Sequence, residues 1–334
     1  MPKTSFVTVP PDKRGVLFRP LHEMIDAGIR ESIDPGLPRY LREPIHYFLD
    51  SPGKKIRPLL TLLCCDALGG DIQKALPAAI AVELLHDFTL VHDDIMDRDD
   101  LRRGRQTIHV KWDESTAILA GDALIGLAYQ KLMKSPAHLL NRLNLLFSEA
   151  IVRVCEGQAL DKEFEDRESV SLEEYEKMIG LKTAWLLKVS CQLGAVIGGG
   201  TEKQIAALAE FGFSLGMGFQ VQDDLLDFTA DQGQLGKKVG SDYRMHKKTF
   251  VTLYYNREFP TLPEKFSNFP EKADQFDSFT QFREALTTTA LDREMSRIAD
   301  GYIQSALQTL SPVIAPSGIR KLQQFTALLR RRRF

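Results

Sequence analysis

An all-α fold follows from three observations on this 334-residue chain. Apolar residues recur at steps of three and four over long stretches, clear apolar/polar alternation is absent, and the stretches break at Ser-Pro and Gly-Gly pairs. The clearest stretch carries Leu76, Ile80, Leu84, Phe88, Val91 and Ile95 on one period, which predicts a long, mostly buried helix. No short repeat and no low-complexity linker divides the chain, so a single large all-α domain over residues 1–334 is expected.

Taken in order, the first fifteen residues, MPKTSFVTVPPDKRG, are expected to be weakly ordered and carry no apolar signal core. SPGKKIRP then sets Lys54, Lys55 and Arg57 at a helix start, where free N–H groups and the helix dipole favour an anion. Four cysteines, Cys64, Cys65, Cys155 and Cys191, show no CxxC spacing and read as buried thiols of a reducing compartment. Helical periodicity continues through 115–134, 139–165, 172–197, 203–228 and 286–310, with breaks at Ser135-Pro136, Gly198-Gly199-Gly200 and Ser311-Pro312. Residues 257–280, rich in Pro, Phe, Asp and Ser, are expected to form an irregular surface excursion. LLRRRRF closes the sequence with Arg330 to Arg333 at the end of a final helix, where the tail is expected either to stay solvated or to fold over a substrate entrance. No run approaches the eighteen apolar residues that span a bilayer, so a cytoplasmic protein without stable membrane insertion is expected.

A formal net charge of -2 argues against nucleic acid or a polybasic membrane surface as partner, so charge must act locally. It does so in LVHDDIMDRDDLRRGRQTIH, residues 90–109, where five carboxylates fall between Asp93 and Asp100 and arginines follow at once. His86, Asp93 and Asp97 are spaced by seven and four residues and share one helix face. QVQDDLLDF repeats the pattern, with Gln220, Asp223 and Asp227 at steps of three and four. Carboxylates this close repel one another unless a cation neutralises them, and hard oxygen donors suit Mg²⁺. Flanking Val91, Ile95, Leu225, Leu226 and Phe228 put both groups at an apolar rim. Dispersed Arg and Lys complete a pattern suited to two diphosphates, one held through metal and one by direct charge-assisted bonds.

GKKIRP, LLHDFTLVHDDIMDRDDLRRG, CEGQALD, LKT, FQVQDDLLD and LGKKVGSD with a downstream Lys-x-Thr resemble the ordered motifs of the trans-isoprenyl diphosphate synthases, or polyprenyl synthetases, over roughly residues 50–250. The resemblance implies the isoprenoid synthase fold, a helical bundle around a deep central cavity, in a homodimer. It implies Mg²⁺-dependent head-to-tail condensation of isopentenyl diphosphate with an allylic diphosphate (dimethylallyl, geranyl or farnesyl). By it, Lys54, Arg57, His86 and Arg103 hold isopentenyl diphosphate; Asp93, Asp97, Asp223 and Asp227 hold Mg²⁺; Arg102, Lys182, Lys237 and Lys247 contact the allylic diphosphate; and Thr183 and Gln220 lie near the reacting carbon. It also implies that Phe88, with Thr89, forms the floor that limits the product to geranylgeranyl or farnesyl diphosphate, the alternative being a longer-chain polyprenyl diphosphate synthase. His92 reads as structural. The stretch Asp242 to Lys247 departs from the family pattern, with Tyr243 for a leucine and His246 for a glycine. Competing functions fit less well: a metal phosphohydrolase needs more ligating histidines than these seven supply, a terpene cyclase mixes Asn, Ser or Thr with Glu in its second site, and a regulatory subunit should lack one Asp motif.

Overall fold

Side-chain acceptors start several of the helices. In the computed structural model, which describes residues 17–229, 240–245 and 247–331, the chain opens with α1 (Arg19–Arg30), α2 (Arg39–Leu49) and α3 (Ile56–Ala67). Next comes α4 (Ile72–Met96), whose preceding Asp71 carboxylate accepts from the Gln73 amide at 2.9 Å. A two-residue antiparallel hairpin, β1 (Leu101–Arg102) and β2 (Arg105–Gln106), follows. Its central Arg103 and Gly104 have φ of 53° and 75°, the left-handed pair that a tight hairpin turn demands. After α5 (Ile108–Lys111), Asp113 caps α6 (Glu114–Leu132) by accepting from the Thr116 amide at 2.7 Å. Then come α7 (Leu140–Asp166), α8 (Leu172–Ile179) under a Ser171/Glu174 capping box, α9 (Trp185–Ile197) and α10 (Glu202–Thr229). The rest is α11 (Ser241–Arg244), α12 (Phe250–Glu258), α13 (Phe279–Thr288), α14 (Leu291–Leu310) and α15 (Pro316–Arg331). The expected weak N-terminal segment, Lys237, and Arg332 and Arg333 of the terminal run lie outside the described residues.

The all-α expectation holds, with local corrections. The periodic stretch 172–197 is interrupted by a π-helical turn, Gly180–Ala184, between α8 and α9. The stretch 286–310 breaks at Ala290, which takes φ of 62° and separates α13 from α14. Cys64, Cys65 and Cys191 are buried thiols, but Cys155 is exposed.

The described residues divide into two compact units, those within 17–149, 187–212 and 307–331, and those within 150–186 and 213–306. In the first, α3 is buried on nearly every side, with Leu59, Leu60, Leu62, Leu63, Cys64 and Cys65 all at 1% exposure or less. It packs on α4 and α15, and α4 packs on α6. Contrary to expectation, α4 is long and apolar enough to cross a membrane by length and composition, with a mean hydropathy of 1.2 over its best window. It is a core helix instead: 61% of that window is buried within the protein, and Glu83, Asp87 and Asp94 are among its buried side chains.

In the second unit, Phe228, Tyr243, Phe276, Phe279 and Phe282 form one aromatic cluster, with Tyr243 and Phe282 stacked at 5.2 Å between centroids. Segment 257–280 contains three single 3-10 turns and is irregular as expected, but its inner edge belongs to this core. Phe276 is buried against Tyr255 and Phe282, the Tyr255 hydroxyl donates to the Pro270 carbonyl at 2.7 Å, and the Ala273 amide donates to Asn256 at 2.7 Å.

Helix packing in the first unit depends on missing side chains. A Cβ on Gly194 of α9 would lie 2.1 Å from the Thr61 carbonyl oxygen of α3, whereas one on Gly301 of α14 would meet nothing within 4 Å. Both positions gain helix propensity on mutation to alanine, about 0.8–1 kcal/mol. Gly301→Ala should therefore raise the urea unfolding midpoint, and Gly194→Ala should lower it, because overpacking of about 1–3 kcal/mol outweighs propensity. Shifts of the same sign in the two variants would refute this packing account.

Candidate active site

Cations gather first, at the start of α3. Lys55 adopts φ of 48° at the N-cap and turns its buried ammonium to Glu83 of α4, Nζ to Oε1 at 3.2 Å. Lys54 is exposed. Arg57, one turn further in, meets the charges of Glu83, Asp87 and Arg103, and its desolvation pulls its pKa down to about 10. Asp87 is pushed up to about 7 by burial and then by the Glu83 charge, against the pull of Lys55, Arg103 and Arg57. Arg57 Nε and Asp87 Oδ2 are buried with no hydrogen-bond partner. Burial, together with the charges of Arg57, Arg103, Arg102 and Lys55, drives the His86 pKa well below its usual range, so the imidazole is neutral. Arg103 reaches back over Gly53, where a Cβ would sit 3.1 Å from its guanidinium. Arg57, His86 and Arg103 thus lie within range of one another's charges, and Arg103 also lines a small open cleft with Tyr47, Ser51, Arg102, Arg105 and Thr107. Arg105 stacks on the Tyr47 ring at 4.0 Å and donates to Ser51 Oγ at 3.1 Å.

At the C-terminal end of α4, Asp93 and Asp97 are half-buried and one turn apart. Unsatisfied carbonyls and the helix dipole add negative potential there, which favours a cation. Asp94 differs: it is 2% exposed and accepts from Arg102 Nε at 2.5 Å. Burial raises its pKa to about 6, opposed by Arg102. Arg102 thus pairs through Nε with Asp94, and its Nη2 lies 3.8 Å from Asp99 Oδ2. Phe88 is half-buried, its ring 4.8 Å from that of His92. His92 lies against α6, where Gly121 leaves room for it and the Ile118 carbonyl is 3.3 Å away. Thr89 donates to the His86 carbonyl at 2.8 Å.

The second unit holds the other motif. Asp223 is exposed, and Asp227 is buried and accepts from the Asp242 amide at 3.2 Å. Asp224, 5% exposed, accepts from the Tyr175 hydroxyl at 2.6 Å, Gln220 Nε2 at 2.9 Å and the Phe250 amide at 2.9 Å. Burial raises its pKa to about 7 while those three donors pull it down. The π-helical turn presents Lys182 and Thr183: Lys182 Nζ lies 2.6 Å from Asp161 Oδ2, and Thr183 Oγ1 donates to Gln220 Oε1 at 2.9 Å. Gly157 of α7 lets that turn approach, since a Cβ there would be 2.3 Å from the Lys182 amide nitrogen. Lys247 is half-buried, its amide donating to the Asp242 carbonyl at 2.9 Å.

Sequence reading missed Glu83, Asp87, Asp94, Asp161, Tyr175 and Asp224. A signal existed for the first two: a glutamate and an aspartate four apart inside an apolar helix require buried cations. Asp93, Asp97, Asp223 and Asp227 offer hard oxygens, and among the described residues no group of three His, Cys, Asp or Glu side chains forms a closed cage. The donors of each pair, taken within its own unit, fit Mg²⁺, whose shell is ordinarily completed by water and phosphate oxygens.

Residues 38–282 match the polyprenyl synthetase family. The geranylgeranyl diphosphate synthase of Methanosarcina mazei is 43% identical over 232 residues, 69% of this chain and 71% of that protein. Its namesake from Sulfolobus acidocaldarius is 35% identical over 328 residues, 95% of this chain and 98% of that protein. The crystal structure of geranylgeranyl pyrophosphate synthetase from Pyrococcus horikoshii superposes with a TM-score of 0.84 at 34% identity, covering 95% of this chain and 98% of that one. Match length, shared fold and the two aspartate motifs agree, and the chain belongs to the polyprenyl synthetase family, the trans-isoprenyl diphosphate synthases, as an all-α prenyltransferase.

Proposed function

We propose that the protein condenses isopentenyl diphosphate with an allylic diphosphate to form geranylgeranyl or farnesyl diphosphate, releasing diphosphate. The observation that carries this reading is the Arg57, His86 and Arg103 cluster, which has a buried guanidinium nitrogen without a partner and lies in the same unit as the Asp93/Asp97 pair. An anion with several oxygens satisfies those donors; a neutral substrate leaves them desolvated. Lys54, Arg57, His86 and Arg103 bind isopentenyl diphosphate, with His86 donating as a neutral ring. Asp93, Asp97, Asp223 and Asp227 hold Mg²⁺, which when bound supplies charge neutralisation to the departing diphosphate. Lys182 and Lys247 orient the allylic diphosphate, and Thr183 and Gln220 face the carbon it leaves. The double bond of isopentenyl diphosphate attacks that carbon, and the proton lost in closing the new double bond leaves with the diphosphate. The chain supplies no nucleophile; its residues bind, orient and exclude water. Relatives named for geranylgeranyl products support the short chain length.

Asp93→Ala and Asp223→Ala are each expected to lower kcat about a hundredfold or more, with circular dichroism unchanged. Turnover near the parent's in either variant contradicts the metal-binding role of that aspartate.

Product length is read at Phe88. Phe88→Ala opens space at the cost of up to about 3–5 kcal/mol if tightly packed, and less at this half-buried position. With folding verified, the variant should yield longer polyprenyl diphosphates by chromatography; an unmoved product distribution assigns the floor to another residue.

The buried charges set a pH dependence as well. Asp87 titrates near 7 in the folded protein against an ordinary value of 3.8, so the native state holds its proton more tightly. Stability relative to Asp87→Asn should therefore fall as pH rises from about 4 to about 7 and level off above. Parallel stability profiles for parent and variant, measured by urea unfolding across this range, would show that Asp87 is ionised in the fold throughout.

A further inference from the structure

One hydrogen-bond chain in the second unit has a single polarity. Asp224 is 5% exposed and Tyr175 4%. Three donors converge on the Asp224 carboxylate: Gln220 Nε2 on Oδ1 at 2.9 Å, and the Tyr175 hydroxyl at 2.6 Å and the Phe250 amide at 2.9 Å on Oδ2. In its ionised form the carboxylate only accepts, so the side-chain amide of Gln220 then presents nitrogen to it and oxygen to the other side. That oxygen receives the Thr183 hydroxyl hydrogen at 2.9 Å. With its hydrogen committed, Thr183 shows only lone pairs to whatever lies beyond it. Gln220 is one turn of α10 before Asp223, so this pair sits beside the place where the allylic diphosphate is anchored in the function proposed above.

We propose that Asp224 and Tyr175 are positioning residues for prenyl transfer, fixing the Gln220 amide so that the Thr183 oxygen is held as an acceptor facing the carbon that becomes positive. The inference rests on the prenyl-transfer reading. In it Asp224 is no metal ligand: its oxygens are occupied by protein donors, and its work is to set the sign of a dipole two hydrogen bonds away. Tyr175 and the Phe250 amide lock the carboxylate plane, which fixes the polarity while Asp224 is ionised.

The chain can be reversed and then restored. In Asp224→Asn the two donors on the Oδ2 side retain the amide oxygen, so the new NH₂ faces Gln220. Gln220 must turn over, donate to Thr183, and free the hydroxyl hydrogen toward the reacting carbon. kcat is expected to fall roughly tenfold or more, while KM for both diphosphates and the Mg²⁺ activation midpoint stay within about twofold. Adding Gln220→Glu puts an acceptor between the new side-chain amide at position 224 and Thr183, restores the polarity at the same pair charge, and should return kcat to within a few fold of the parent. In urea unfolding the double variant should also be more stable than the sum of the single changes. Parent-like kcat in Asp224→Asn overturns the proposal, as does a double variant as slow as Asp224→Asn, or a rise in the Mg²⁺ midpoint that accounts for the loss. If Asp224→Asn does not fold, the double variant decides alone, since every donor in it meets an acceptor: activity near the parent's supports the relay and its loss refutes it. Failure of the function reading looks different: the parent then transfers no prenyl group, while the stability coupling between positions 220 and 224 still reports the hydrogen-bond polarity.

Discussion

The first unit depends on burying carboxylates inside its most apolar long helix. Glu83, Asp87 and Asp94 are each 2% exposed or less on α4, a place where an unpaired charge is strongly unfavourable. They are tolerable only because cations arrive from both sides in sequence: Lys55 and Arg57 from the start of α3, Arg102 and Arg103 from the hairpin after α4. This explains why the charge run at 93–100 reverses sign so abruptly. The arginines are the counterions of their own neighbours first, and the left-handed turn at Arg103 and Gly104 folds them back over the helix end. Compensation is incomplete, since Arg57 Nε, Asp87 Oδ2 and Asp94 Oδ2 have no partner. On the cationic side the unsatisfied group is the Arg57 Nε donor, which an anion's oxygen suits, whereas the two carboxylate oxygens lack donors.

Periodicity made the long helices legible because each buries a broad stripe, and α4, α6, α7 and α10 lie within a few residues of the expected limits. It could not reveal the π-helical turn at 180–184, where the apolar pattern continues while the backbone widens, nor the break at Ala290, a residue with high helix propensity held at positive φ. The Pro and Asp content of segment 257–280 made its irregular course legible, but composition did not show that Phe276 within it is a core residue.

Within the site, residues that face a ligand were legible through their motifs, and those that face other residues were not. Lys54 and Lys55 are adjacent and alike in sequence, yet one is exposed and the other is buried on Glu83; the left-handed backbone at Lys55 decides this, and no local pattern forecasts it in a non-glycine residue. Asp161 and Tyr175 were invisible for the same reason. Each acts through a partner more than twenty residues away, Lys182 in one case and Asp224 in the other.

Helical geometry gives the two aspartate doublets a common logic. Successive residues on a helix point about 100° apart, so both members of an Asp-Asp pair cannot address one ligand. In the first motif Asp94 is turned inward to Arg102 while Asp93 and Asp97 stay on the open face. In the second, Asp224 is turned inward to Tyr175, Gln220 and the Phe250 amide while Asp223 is exposed. Each inner aspartate has its pKa raised by burial, which marks it as a group the fold desolvates at a cost. The partners differ in kind: an arginine that neutralises charge in one motif, and neutral donors that only orient it in the other. A charged partner fixes the balance of charge at the end of α4, whereas neutral donors add no countercharge to Asp224 and pass its direction along Gln220 to Thr183. The same doublet therefore anchors a hairpin in one unit and aligns a dipole in the other.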